Sequence, residues 1–166
     1  WELIEGRAWA MSPAPTSRHQ EIAWKLSGML YGYLKGKPCK AFAAPFDVLL
    51  PEGGEDEDEV DTVVQPDISV FCDRSKLTER GARGAPDLVV EILSPSTAKK
   101  DLSEKFNLYE RQGVREYWVL DPGNRSVLVF RPDPGGRYDS GELRQRGRDF
   151  SPIASKVLEG FSVNPE

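Results

Sequence analysis

Glu91 sits inside an apolar run, Leu88-Val-Val-Glu-Ile-Leu93. A carboxylate there gives up hydration worth several kcal/mol unless a cation or hydrogen bonds replace it. Strand alternation sets Val89, Glu91 and Leu93 on one face and Val90 and Ile92 on the other. Such an acid is either a site residue or a strand-end glutamate held by an arginine. A second acid, Asp67, follows Pro66 at the head of Asp67-Ile-Ser-Val-Phe71, 24 residues before Glu91. That interval suits two neighbouring strands joined by a loop, which would bring the carboxylates together. Adjacent carboxylates repel, and a hard divalent cation relieves them. Mg²⁺ accepts one or two carboxylates and completes its shell with waters and phosphate oxygens. A metal held this way polarises a phosphoryl oxygen and lowers the pKa of bound water.

Those two acids need a sheet beneath them. The opening stretch, residues 1–13, reads as a hairpin turning at Glu5-Gly6. Pro13 and Pro15 then mark a helix entry, with Ser17 and Gln20 in capping-box spacing. Ile22, Leu26, Met29, Leu30 and Tyr33 form its apolar stripe and Gly36 its stop. Short strands are expected at Ala41–Ala44, Phe46–Leu50, Asp67–Cys72 and Asp87–Leu93. A second helix is expected over Ala98–Gln112, ended by Gly113. Glu116–Asp121 and Ser126–Arg131 read as strands joined at Asp121-Pro-Gly-Asn124, with further strand-like pieces after them. The expected class is α/β: one domain over residues 1–166, with a central mixed sheet between an early and a late helix.

Composition narrows the functions. At 166 residues, 39% hydrophobic and 30% charged, the chain suits one globular core. No apolar run approaches the roughly 18 residues a membrane span needs, so no membrane partner is expected. The chain begins at Trp1, which leaves room for residues upstream. Cys39 and Cys72 lack any metal-binding spacing and read as buried free thiols of a cytoplasmic protein, with a single disulfide as the alternative. A single histidine argues against zinc and against a Ser-His-Asp triad. The net charge of −5 is unevenly spread: Glu52–Asp61 holds seven acids and no base, and without it 20 acids face 22 bases. That stretch reads as a solvated loop between strands.

Asp67 and Glu91 match the first two parts of the PD-(D/E)xK nuclease pattern. The run Pro86-Asp-Leu-Val-Val-Glu-Ile-Leu-Ser-Pro-Ser-Thr97, Lys105 and Tyr109 at four-residue spacing, and Gly113-Val-Arg-Glu-Tyr-Trp-Val-Leu-Asp-Pro122 together resemble the Uma-two family of candidate endonucleases, formerly domain of unknown function eight-twenty. The likeness runs from Glu2-Leu-Ile-Glu-Gly6 through Val127-Leu-Val-Phe-Arg-Pro132. It implies a restriction-endonuclease-like fold, a metal-dependent endonuclease site, and DNA as substrate. It also implies Mg²⁺ or Mn²⁺ on Asp67, Glu91 and the Ile92 backbone carbonyl. One departure stands out: the pattern's lysine, two residues after the glutamate, is Leu93 here. In this family a lysine from the following helix substitutes, and its match is Lys105, with Tyr109 in support. On a helical wheel Lys105 flanks an apolar arc of Leu102, Phe106 and Tyr109. Read without the family, it is more readily an ordinary i,i+4 surface partner of Asp101.

Supporting residues are less defined. Glu21 would be the outer acid that many nuclease relatives carry, although it falls off the apolar stripe. His19, near the same helix start, is either a hydrogen-bonded structural residue or part of the site. Gln65 would face the site from before Pro66. Asp87 lies roughly 13 Å along the strand from Glu91, too far to share an ion, and reads as a strand-opening residue. Ser94 and Ser96 would shape a loop. Arg74, Lys76, Arg80 and Arg83 would offer a basic contact for DNA beside the carboxylates, with Lys99 and Lys100 near Lys105. A homodimer would suit double-strand cleavage. The alternative is the same fold without catalysis, serving as a DNA-binding or protein-interaction module.

Overall fold

The chain opens with β1 (Glu2–Ile4) and β2 (Arg7–Trp9), an antiparallel hairpin. Glu5 and Gly6 both take positive φ, 51° and 71°, as a tight turn matched to strand twist requires. The computed structural model describes residues 1–10, 14–149 and 151–164. Pro13, expected to mark the helix entry, lies outside the described residues. Helix α1 (Ser17–Leu34) starts one residue earlier than a Ser17 cap allows, because Thr16 is the cap: its side chain accepts the His19 N–H. Leu26, Leu30 and Leu34 are its buried face, while Met29 of the expected stripe is exposed.

Strands β3 (Lys40–Ala43), β4 (Asp47–Leu49), β5 (Val63–Val64), β6 (Ile68–Phe71), β7 (Gly81–Arg83) and β8 (Leu88–Ile92) follow. Then come α2 (Ala98–Leu102), α3 (Glu104–Arg111), β9 (Glu116–Asp121), β10 (Ser126–Phe130), β11 (Glu142–Gln145), β12 (Ile153–Ala154) and β13 (Ser162–Val163). The main sheet has six strands in the order β11-β10-β9-β8-β6-β3. It is mixed: β8 and β9 run parallel, with α2 and α3 as the crossover between them, and the other neighbours are antiparallel. One face packs on α1 and the C-terminal segment through Leu30, Val90, Ile92, Trp118 and Phe161. The other packs on α3 and a five-stranded sheet, β2-β1-β5-β4-β7, through Val89, Leu108, Tyr109, Tyr117 and Val64. The acidic stretch is the connection between β4 and β5 and contains one short 3-10 turn, Glu57–Glu59.

Four sequence expectations change. The late helix is two: Ser103 leaves helical geometry at φ −126° and ψ −75°, and its hydroxyl donates to the Lys99 carbonyl. The break turns Leu102 outward, so it takes no part in the apolar arc. The segment from Arg74 to Gly84, expected to offer a basic contact for DNA, contains β7, paired in parallel with β4. Gly81 permits that pairing, since a Cβ there would meet the Asp47 carbonyl oxygen at 2.2 Å. The basic side chains of this segment are largely spent internally, Arg74 on the Pro38 carbonyl, Lys76 on Ala85 and Arg83 on Glu55. The segment also connects the ends of β6 and β8 opposite to Asp67 and Glu91, because those strands are antiparallel. Finally, Cys39 and Cys72 are joined in a disulfide, not free. Lys40 pairs with Phe71, so the next pair outward sets the two cysteines directly opposite each other. With them joined, the thiol argument for a cytoplasmic location no longer holds.

Candidate active site

Strand register explains why two acids 24 residues apart meet. Ile68 pairs with Val90, so one step further along the antiparallel pair Asp67 stands across from Glu91. Opposite residues share a face, with Cβ atoms about 5 Å apart. Asp67 is fixed by two donors on one oxygen: Oδ2 accepts the Ile92 N–H at 2.7 Å and lies 3.1 Å from His19 Nε2. The hydrogen bond to Asp67, opposed by burial, raises the His19 pKa. The same strand geometry frees Ile92. Leu93 N–H bonds Leu120 on β9, so the polar groups of Ile92 leave from the other edge, toward Asp67.

Glu91 is 4% exposed, and its Oε1 accepts both from Lys105 Nζ and from Tyr109 Oη, each at 2.8 Å. Burial above all, then Asp101, Asp67 and Glu2, push its pKa up to about 8 against the pull of Lys105. Burial opposes the charge on Lys105, yet Glu91, Glu2 and Asp101 outweigh it and hold its pKa above the usual lysine value. The Tyr109 phenol is held neutral by burial and by Glu91. The lysine therefore reaches the carboxylate from α3, while Leu93 at the strand position packs partly buried in the core.

Three further charged residues complete the cluster and were not singled out from the sequence as site members. Glu2 on β1 is 3% exposed and accepts from Lys105 at 2.8 Å, from Lys100, and from the Gln65 N–H at 3.0 Å. Asp101 is also buried, 3.8 Å from Lys105. The i,i+4 relation seen in the sequence is real, but it lies in the interior. A signal for Glu2 exists: strand alternation puts it on the same inward face as Ile4. Four carboxylates, of Glu2, Asp67, Glu91 and Asp101, thus face two ammonium groups, of Lys100 and Lys105.

Other expected members fall differently. The Gln65 side chain turns to Asp47 at 2.7 Å, and its backbone bonds Glu2. Glu21 is not brought to the cluster: it is exposed and ion-paired with Lys25 at 2.9 Å. Asp87 accepts from the Cys72 N–H and Arg115 at the far end of the sheet. Ser94 and Thr97 bond each other at the head of α2.

A groove of about 480 Å³ runs between α1 and the β9–β10 turn. Arg18, Lys25, Arg125 and Arg146 line it together with Glu21 and Asp121, over an apolar floor that includes Leu26 and Leu120. Leu120 is the register partner of Ile92, so the groove lies on the α1 face of the main sheet, while Glu91 points to the other face. Among the described residues no helix is long and apolar enough to cross a membrane.

The Uma2 family model, described as "Putative restriction endonuclease", matches residues 1–166. An uncharacterised protein of Synechocystis is 28% identical over 159 residues, covering 90% of this chain and 80% of that protein. Among solved structures, a "putative nuclease belonging to DUF820" from Anabaena variabilis superposes with a TM-score of 0.75 at 23% identity. That match covers 99% of this chain and 86% of the other. The likeness to it establishes a shared fold, of the restriction-endonuclease-like type.

Proposed function

The chain belongs to the Uma2 family, and from that premise, which supports a nuclease-like role, we propose that it is a metal-dependent endonuclease hydrolysing DNA phosphodiester bonds. The observation that carries the reading is the carboxylate cluster at the end of the main sheet: Asp67 across from Glu91, with buried Glu2 and Asp101 beside them, facing Lys100, Lys105 and the His19 ring. Buried carboxylates are unfavourable unless cations or protons offset them.

The donor set fits a hard dication. Asp67, Glu91 and the Ile92 carbonyl would hold Mg²⁺ or Mn²⁺, all three oxygen donors, with waters and substrate oxygens for the rest. The hydrogen bonds to Asp67 use Oδ2, and those to Glu91 use Oε1, which leaves the second oxygen of each for an ion. A bound ion of this kind supplies Lewis-acid polarisation of the phosphoryl group and a more acidic water. The residues of the chain do the rest. Lys105 orients the attacking water and offsets phosphoryl charge in line with its position on Glu91. Tyr109 holds the Glu91 carboxylate in one rotamer, and His19 does the same for Asp67. Arg18, Lys25, Arg125 and Arg146 in the groove beside Leu120 would offer the DNA backbone a contact on the α1 face of the sheet.

One observation favours the rival reading, a non-catalytic DNA-binding or protein-interaction module. Among the described residues no group of three His, Cys, Asp or Glu side chains forms a metal cage. Plasmid nicking in Mg²⁺, Mn²⁺ or EDTA separates the two. The nuclease reading expects metal-dependent nicking, lost in Asp67→Ala and reduced about 10²- to 10³-fold in Lys105→Ala, with both variants folded. Cleavage retained by Lys105→Ala removes the lysine from the site. No cleavage of any plasmid, duplex or single-stranded DNA, together with no Mn²⁺ binding by calorimetry, refutes the nuclease reading.

A further inference from the structure

We propose that Glu2, on the N-terminal strand, is a positioning residue of this site that fixes the Lys105 ammonium in its working place, an inference that rests on the nuclease reading. One buried carboxylate here spans three elements. Its Oε1 accepts Lys105 Nζ from α3 at 2.8 Å and the Gln65 N–H at 3.0 Å, two residues ahead of Asp67. Its Oε2 takes Lys100 from α2. Glu2 therefore ties the helices that deliver the lysine to the strand that delivers the aspartate.

The geometry at Nζ gives this tie its purpose. A lysine carries a compact charge on a flexible four-carbon stem, with three N–H donors. Glu2 and Glu91, each 2.8 Å away, take two of them. Asp101, at 3.8 Å, is too far to take the third as a hydrogen bond. That third N–H is left for a water or a phosphoryl oxygen. With Glu91 as the sole anchor, the ammonium could swing about one contact; with two anchors its direction is set. A brace for the fold alone is a poor account of Glu2, because β1 is already held by backbone pairing to β2 and β5.

The test uses the full chain with Glu2→Gln, which keeps the shape and the acceptor for Gln65 but removes the charge, and Glu2→Asp, which keeps the charge one methylene short. Competitive acylation read by mass spectrometry reports how firmly each lysine is held, independently of activity. Lys105 is expected to label about tenfold faster in Glu2→Gln than in wild type. Cleavage should lose about 10²-fold in kcat with KM little changed, the cost of a misplaced group, and Glu2→Asp should fall between. Labelling of Lys105 as slow as in wild type, or an unchanged kcat in a folded Glu2→Gln, overturns the proposal. A thermal shift with neither effect makes Glu2 merely structural and also overturns it. No cleavage by the wild type would instead refute the nuclease reading, and the labelling would still decide whether Glu2 holds Lys105.

Discussion

Replacing Lys105 by methionine keeps most of the buried stem and removes the ammonium that Glu91 and Glu2 share. The side chain is only 4% exposed, so water cannot take its place. Removing one partner of a buried ion pair costs about 3–5 kcal/mol, against about 0.3–0.5 kcal/mol for an exposed i,i+4 pair. The cost must depend on pH, and its sign follows from the two acids. Glu2 has a lowered pKa in the folded protein, because Lys105 and Lys100 outweigh its burial. Its contribution is present above its unfolded value of about 4.5 and is lost as pH falls through the folded value. Without Lys105 much of that contribution disappears, so the penalty should open as pH rises through the Glu2 range. Glu91 holds its proton up to about 8 even with Lys105 present. It therefore adds a second step above pH 8, where wild type ionises it and the variant resists. Urea unfolding in EDTA, followed by tryptophan fluorescence, should give a loss of about 1–2 kcal/mol at pH 4.5, about 3–5 kcal/mol at pH 7, and more at pH 9. A loss near 0.5 kcal/mol, flat across this range, would refute the buried-cluster reasoning.

The same linkage predicts that metal-free wild type loses stability between pH 4.5 and about 8, since folded Glu91 keeps a proton that the unfolded chain has released. Glu91→Gln should flatten that slope in EDTA unfolding curves; an unchanged slope would remove Glu91 as its cause. Gly81→Ala should lower Tm by about 4 °C or more in calorimetry, because a Cβ 2.2 Å from the Asp47 carbonyl oxygen forces β4 and β7 apart. Charge reversal of both Arg125 and Arg146 should weaken duplex binding in EDTA and reduce the slope of log affinity against log salt by about 2. An unchanged slope in fluorescence anisotropy would rule out the groove as a backbone contact.

Local pattern carried the reading of several elements because their causes are local. The hairpin at Glu5-Gly6, the α1 core face and the strand Glu116–Asp121 depend on turn chemistry and on residues two to four apart. The end of α1 at Gly36, with φ 77°, is of the same kind. The split at Ser103 was not legible, because a side-chain bond to Lys99 interrupts a segment whose periodicity is unbroken. The β7 strand hid among glycines and charges because it is only three residues long, and its partner β4 lies far away in the chain.

From the sequence alone came the isolated acid in a buried strand, the second acid one strand away, and a lysine at helical spacing from a tyrosine. These are decided by burial and alternation within each segment. Tertiary structure alone decided which charges share the interior. Register between β6 and β8 set Asp67 across from Glu91 and sent the basic connection to the opposite end. The path of β1 brought Glu2 to Lys105, across 103 residues of chain. Pairing of β3 with β6 joined two cysteines that no spacing links. An isolated charge can be recognised as costly wherever it is written, but what compensates it depends on which distant strand or helix the fold lays beside it.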